Sequence, residues 1–159
     1  MSTNYEVEER INKMLDFSKN APLGHIEHLM SFEFLDCDAS EQWVNFRLTV
    51  PFEASNRIKT AHGGYVAAIG DECLALATHG LLYLREFTTT TLDMQIHTIK
   101  AMFPGDEIII HCDYDHIGKR TILANARFYR DKKLCAIVSE NFVLLPKNSV
   151  EFLRWEDDK

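Results

Sequence analysis

The stretch from Asn56 to Gly80 constrains the fold more than any other, because it runs from a polar loop into a helix with no polar face. From Tyr65 to Leu76 the apolar residues fall on every side, and a helix of that kind has to be enclosed by other structure. A central helix over about residues 63–79 follows, with Gly80 as its stop. Asp71 interrupts it near the middle. Burying an unpaired carboxylate there is costly, so Asp71 is paired, solvated in a cleft or functional. Glu72 diverges from it by about 100° and addresses a different face.

A helix start carries unpaired N–H groups at the positive end of its dipole. Gly63 and Gly64 leave that first turn uncovered, so a carbonyl oxygen that gains charge during a reaction can be received there. Close packing at a helix start is the plainer reading of the two glycines, and it is compatible with the first. Asp71 is too distant to act on the same group. Eight helical residues rise ~12 Å, whereas a nucleophile and its oxyanion donors converge within about 3 Å of one reacting atom. Antiparallel helices from two subunits would set Asp71 of one beside Gly63 of the other.

At 159 residues, with 46% hydrophobic and 26% charged residues, the chain suits one globular domain over residues 1–159. A formal net charge of −7 argues against a nucleic-acid surface, which needs a basic face, and leaves an anionic small molecule open. No apolar run approaches the ~20 residues that span a bilayer, and no apolar signal segment opens the chain. Cys37, Cys73, Cys112 and Cys135 show no paired C-x-x-C spacing. A soluble, cytoplasmic protein with reduced thiols and no membrane partner is expected.

Val7, Ile11, Met14 and Leu15 recur at helical spacing between Thr3 and Phe17, which predicts an amphipathic first helix ended by Ala21-Pro22-Leu23-Gly24. Residues 26–36 and 42–50 read as a hairpin, closed by Pro51. After the central helix come four β-rich runs at about residues 88–102, 107–117, 120–129 and 134–145. Pro104-Gly105-Asp106, Gly118-Lys119 and Asp131-Lys132-Lys133 separate them, and they read as a meander. The order of elements gives an α+β architecture, an antiparallel sheet wrapped round one helix, with an extra N-terminal helix.

The motif His62-Gly63-Gly64 followed by Asp71, with Asn56 six places before the His, resembles that of the PaaI-like acyl-CoA thioesterases of the hotdog fold. In that family His-Gly-Gly begins the central helix and the acidic catalytic residue lies seven places after the second glycine. Thr91-Leu92-Asp93-Met94 is similar to the strand segment in which a Ser or Thr holds the attacking water. Phe103-Pro104-Gly105-Asp106 and His116-Ile117-Gly118-Lys119-Arg120 occupy the usual turns. The likeness covers about residues 23–145, so the first 20 residues and the tail at 146–159 lie outside it. Lys132-Lys133 stand where the family usually has a glycine in the last hairpin.

The resemblance implies hydrolysis of an acyl-CoA thioester, with Asp71 as general base in preference to nucleophile, Thr91 positioning water and Gly63 supplying the oxyanion N–H. It implies that Asn56 and His62 orient the carbonyl and the leaving sulfur. The separation along the central helix calls for a homodimer or a dimer of dimers with sites at the subunit interface, and no cofactor is expected beyond the CoA of the substrate. Plainer readings stand beside these. Asn56 suits a loop turn, His62 a helix cap and Thr91 a strand surface. Gly64 is a candidate substrate contact. Lys119 and Arg120, with Arg130, Lys132 and Lys133, are candidates for the CoA phosphates as well as ordinary solubilising residues at hairpin tips. A non-catalytic acyl-CoA-binding module and a hotdog hydratase or dehydratase are the competing functions. No metal is expected, since His111, Asp113 and Asp115 read as a solvent face and His25, Glu27 and His28 lack ligand spacing. Cys73 reads as a core residue, and no G-x-S-x-G elbow is present.

Overall fold

The computed structural model describes residues 2–20, 30–84 and 86–147. Thr3 and Glu6 form a reciprocal capping box that starts α1 (Asn4–Lys19), and Val7, Ile11 and Leu15 bury its apolar stripe. Two strands follow, β1 (Phe32–Asp38) and β2 (Trp43–Thr49), and then the central helix α2 (Gly63–Leu82). The remaining strands are β3 (Phe87–Thr98), β4 (Glu107–Ile117), β5 (Thr121–Arg130) and β6 (Lys133–Pro146). β1 begins later than its expected start, because residues 30 and 31 are not in a strand and residues 26–29 lie outside the described residues. Residues 21–24, the expected end of the first helix, also lie outside them. So do His25, Glu27, His28 and most of the C-terminal tail.

α2 is enclosed as its composition requires, with Val66, Ile69, Cys73, Leu74, Ala77 and Leu81 all buried. Gly80 does not stop it. The helix runs on to Leu82 and ends at Tyr83, which takes the left-handed conformation with φ 47°. Gly80 instead lets α1 approach, since a Cβ there would lie 2.6 Å from Ile11 Cγ1. Gly70 performs the same service toward the sheet, where a Cβ would lie 2.7 Å from Val138 Cβ. That Val138 atom cannot rotate away from the contact without moving β6. Gly70→Ala gains ~1 kcal/mol of helix propensity but overpacks a core contact at a cost of about 1–3 kcal/mol. A lower thermal midpoint is therefore expected in a melt.

All strand pairs are antiparallel, in the order β1-β2-β4-β5-β6-β3. The expected four-stranded meander holds only for β4, β5 and β6. β3 lies at the far edge beside β6, and the Ile99–Asp106 connection carries the chain across to β4. Turn chemistry at Pro104-Gly105-Asp106 marks a change of direction and is silent on which strand receives the pairing. The last hairpin turns at Asp131 and Lys132, whose φ values of 48° and 62° supply the twist that glycine normally provides there.

Along β3 the register shifts between Thr91 and Asp93, leaving Leu92 as a bulge. Thr91 is opposite Phe142, on the buried row of β6, whereas Asp93 is opposite Asn141 on the other row. Unbroken alternation would place both residues on one face, and the extra residue separates them.

Candidate active site

Asp71 on α2 and Thr91 on β3 meet, the Thr91 hydroxyl lying 3.0 Å from Asp71 Oδ1. Glu72 is turned away, bordering a cleft with Leu15 of α1 and Phe32 of β1. The Thr91 hydroxyl also contacts Oε1 of Glu140. Glu140 sits on β6, fully buried, and its Oε2 has no hydrogen-bond partner among the described residues. Burial pushes the Glu140 carboxyl up to about 8. Asp71 and Asp93 add to that shift, and the Thr91 hydrogen bond opposes it.

Sequence reasoning missed Glu140. Its signal was parity, since Ala136, Val138, Glu140 and Phe142 form one buried row in which Glu140 is the charged member. The raised value has a consequence for folding. Between the ordinary 4.5 and about 8, the native state holds one more proton than the unfolded chain, so stability falls as pH rises through that window. Thermal midpoints recorded across it should decline for the wild type, and Glu140→Gln should remove that part of the slope.

Four other candidate residues, Asn56, His62, Gly63 and Gly64, gather at the start of α2. His62 is the N-cap, its Nδ1 accepting from the Gly64 N–H at 2.9 Å. A neutral ring held this way carries its hydrogen on Nε2, free to donate. Gly63 is the first helical residue, so its N–H has no intrahelical acceptor, and apart from its chain neighbours and the helix's own backbone no described atom lies within 4 Å of where a Cβ would stand. Asn56 is held in its own loop. Its Oδ1 accepts from the N–H groups of Ile58 and Thr60, and its Nδ2 donates to Thr60 Oγ1 at 2.8 Å, leaving one amide hydrogen uncommitted. Asn56 and Gly63 line a cavity of about 340 Å³ together with Thr98 and Met102. His62, Gly64 and Tyr65 line a second, of about 290 Å³.

Within one chain, then, Asp71 and Thr91 are brought together, and so are Asn56, His62, Gly63 and Gly64. The two groups stand ~12 Å apart along α2. Lys119 and Arg120 lie on the exposed β4–β5 turn, outside both cavities. That turn precedes Thr121, which pairs with Val143, itself opposite Thr90, so it stands at the Thr91 end of the sheet. Elsewhere, His111 Nδ1 is bonded to Asn45 and Asp113 is paired with Arg127. No metal-binding group of His, Cys, Asp and Glu occurs among the described residues. Cys73 is fully buried, and burial raises its thiol well above the ordinary range, which disfavours the thiolate.

Comparison with solved structures finds the same fold repeatedly. Zebrafish thioesterase superfamily member 2 superposes with a TM-score of 0.77 at 20% identity, covering 87% of this chain and 98% of that one. The Escherichia coli PaaI protein of the phenylacetic acid degradation operon gives 0.74 at 16% identity, with coverages of 91% and 96%. A Streptococcus mutans protein bound to acetyl CoA gives 0.67 at 21% identity, with coverages of 80% and 98%. At these identities the likeness establishes the hotdog fold. A search of curated proteins finds no match. The family model described as "Thioesterase superfamily" matches residues 58–137, from the loop before α2 into β6. That span is half the chain and carries Gly63, Asp71 and Thr91, and the protein accordingly belongs to the thioesterase superfamily.

Proposed function

We propose that this protein hydrolyses an acyl-CoA thioester to a carboxylate and free CoA, at a site shared between two copies of the chain. The contact between Asp71 and Thr91 carries this reading, because it sets a carboxylate base beside a hydroxyl able to hold water. Water donates one hydrogen toward Asp71 and adds through oxygen to the thioester carbon, and Asp71 takes the proton. The carbonyl oxygen, now negative, is received by the Gly63 N–H. The intermediate then collapses, the C–S bond breaks, and the sulfur leaves toward the His62 Nε2–H and takes up the proton held by Asp71. The new carboxylic acid loses its own proton to solvent. Family membership supports the reaction class, and the acetyl CoA in the Streptococcus mutans structure supports the substrate class.

The open edge of β3 supports the shared site. That strand pairs with β6 on one side only among the described residues, and Leu92 and Ile96 on it are 56% and 39% exposed. An unpaired edge with apolar side chains is a template for a second strand. If β3 pairs antiparallel with its own copy about Met94 and Gln95, Thr91 of one chain falls opposite Thr98 of the other. Thr98 lines the Asn56 and Gly63 cavity, so the two half-sites meet. The Lys119–Arg120 turn would flank that junction, where cations suit the CoA phosphates.

Thiol release measured over acyl-CoAs of increasing chain length, with aromatic acyl groups included, tests the proposal. Turnover of at least one class is expected. Saturable binding of acyl-CoA with no thiol released from any of them would identify a binding module instead.

A further inference from the structure

Thr91 touches two carboxyl groups with one hydroxyl, Asp71 Oδ1 on one side and Glu140 Oε1 on the other. A hydroxyl has one hydrogen and two lone pairs. If both carboxyls were ionised, one of the two contacts would have no hydrogen in it and would set lone pair against lone pair. The trio therefore needs one more proton. Asp71 is half-buried and can be solvated, whereas Glu140 has no exposed surface. Among the described residues, the groups facing Glu140 offer no positive charge. They are Asp71 from α2, Thr91, Asp93 and Met94 from β3, and Ala124 opposite it on β5.

We propose that Glu140 is a positioning residue, held as a neutral carboxylic acid that donates to Thr91 and so obliges Thr91 to donate to Asp71. The proposal rests on the hydrolytic reading of Asp71 and Thr91 given above. In this arrangement the Glu140 O–H points to Thr91 Oγ1, and the Thr91 O–H points to Asp71 Oδ1. One lone pair of Thr91 and the second oxygen of Asp71 remain. A water that donates one hydrogen to each of these is held by both, and its own lone pair is left facing the thioester carbon. Glu140 neither touches the substrate nor exchanges its proton during the reaction. When it ionises, near pH 8, the single Thr91 hydrogen turns to Glu140, and the water loses its alignment.

Two variants separate this role from plain structural support. Glu140→Gln keeps an N–H donor toward Thr91 and cannot ionise. Glu140→Leu keeps most of the volume and removes the donor. The first should lose no more than about threefold in kcat and the second at least about tenfold, with KM little changed, as expected for a lost hydrogen bond at a charged site. The pH profile gives the sharper readout, because the wild type should lose kcat on the alkaline side near pH 8 while Glu140→Gln extends the plateau upward. Should Glu140→Leu not fold, the Gln profile decides alone. An infrared difference spectrum between wild type and Glu140→Gln, recorded near pH 6 without substrate, should contain the carbonyl stretch of a neutral carboxylic acid. Carboxylate bands only, or a Gln variant as weak as the Leu variant with an unmoved alkaline limb, would overturn the proposal. A wild type that hydrolyses no thioester sinks the hydrolytic reading and the positioning role with it, whereas the infrared band decides separately whether Glu140 is neutral.

Discussion

Asp71→Asn should lower turnover by at least about a hundredfold, the scale on which a general base contributes, while the protein remains folded. Asn has the shape of Asp, and its Oδ1 can still accept from Thr91, so the α2–β3 contact is preserved. What disappears is the capacity to take a proton from water. KM should change far less than kcat, because the role proposed for Asp71 is on the water and not in holding the acyl group or CoA. Glu72→Gln provides the comparison. Glu72 borders a cleft with Leu15 and Phe32 on the far side of the helix, so its replacement is expected to leave turnover within about twofold, the ordinary range for a surface change. Steady-state kinetics of both proteins over one acyl-CoA substrate settles the choice. A crippled Glu72→Gln beside a near-normal Asp71→Asn would move the base to the other carboxylate.

The second large effect is a recovery of activity from two weak proteins. Gly63→Pro removes the proposed oxyanion donor with little disturbance to the fold, because proline is favoured at the first helical position and its N–H has no helical acceptor to lose. His62 already has the extended backbone, at ψ 136°, that a following proline requires. Apart from its chain neighbours and the helix's own backbone, no described atom lies within 4 Å of the new Cβ. Loss of one such donor should cost about a hundredfold to a thousandfold in kcat. Asp71→Asn and Gly63→Pro proteins are then unfolded together and refolded as an equimolar mixture. With random pairing about half of the dimers are hybrids, and each hybrid has one site with both lesions and one with neither, so about a quarter of all sites regain wild-type composition. Activity of the mixture should approach a quarter of the wild-type value. If hybrid dimers are shown to be present and the mixture performs no better than the average of its parents, each site belongs to a single chain.

Much of the candidate site was legible because its residues are close together in the chain. His62, Gly63, Gly64 and Asp71 fall within ten residues, and helical geometry alone puts ~12 Å between the two ends of that motif. The enclosure of α2 was legible for the same reason, since an apolar surface on every side of a helix admits no other placement. Asn56 and His62 were legible as polar residues of a loop and a helix start. Their bonds to Ile58, Thr60 and Gly64 are local turn and cap contacts that such residue types favour. The stop assigned to Gly80 failed because glycine suits both a helix end and a close helix crossing, and only the position of Ile11 on α1 distinguishes the two.

Local periodicity and turn chemistry act over a few residues, so the chain by itself determined where α2 begins, which carboxylate interrupts it and where four later strands lie. The neighbour of β3 depended on pairing with β6 across the intervening β4 and β5, and no turn signal specifies a partner that distant. The facing of Thr91 depended on one extra residue at Leu92, which reverses the parity that alternation predicts. The partnership of Thr91 with Glu140, 49 residues further along, depended on both of these. A carboxyl on a strand reads as solvent-facing until the sheet closes over it, and the burial that raises its proton affinity exists only once β3, β6 and α2 have packed together.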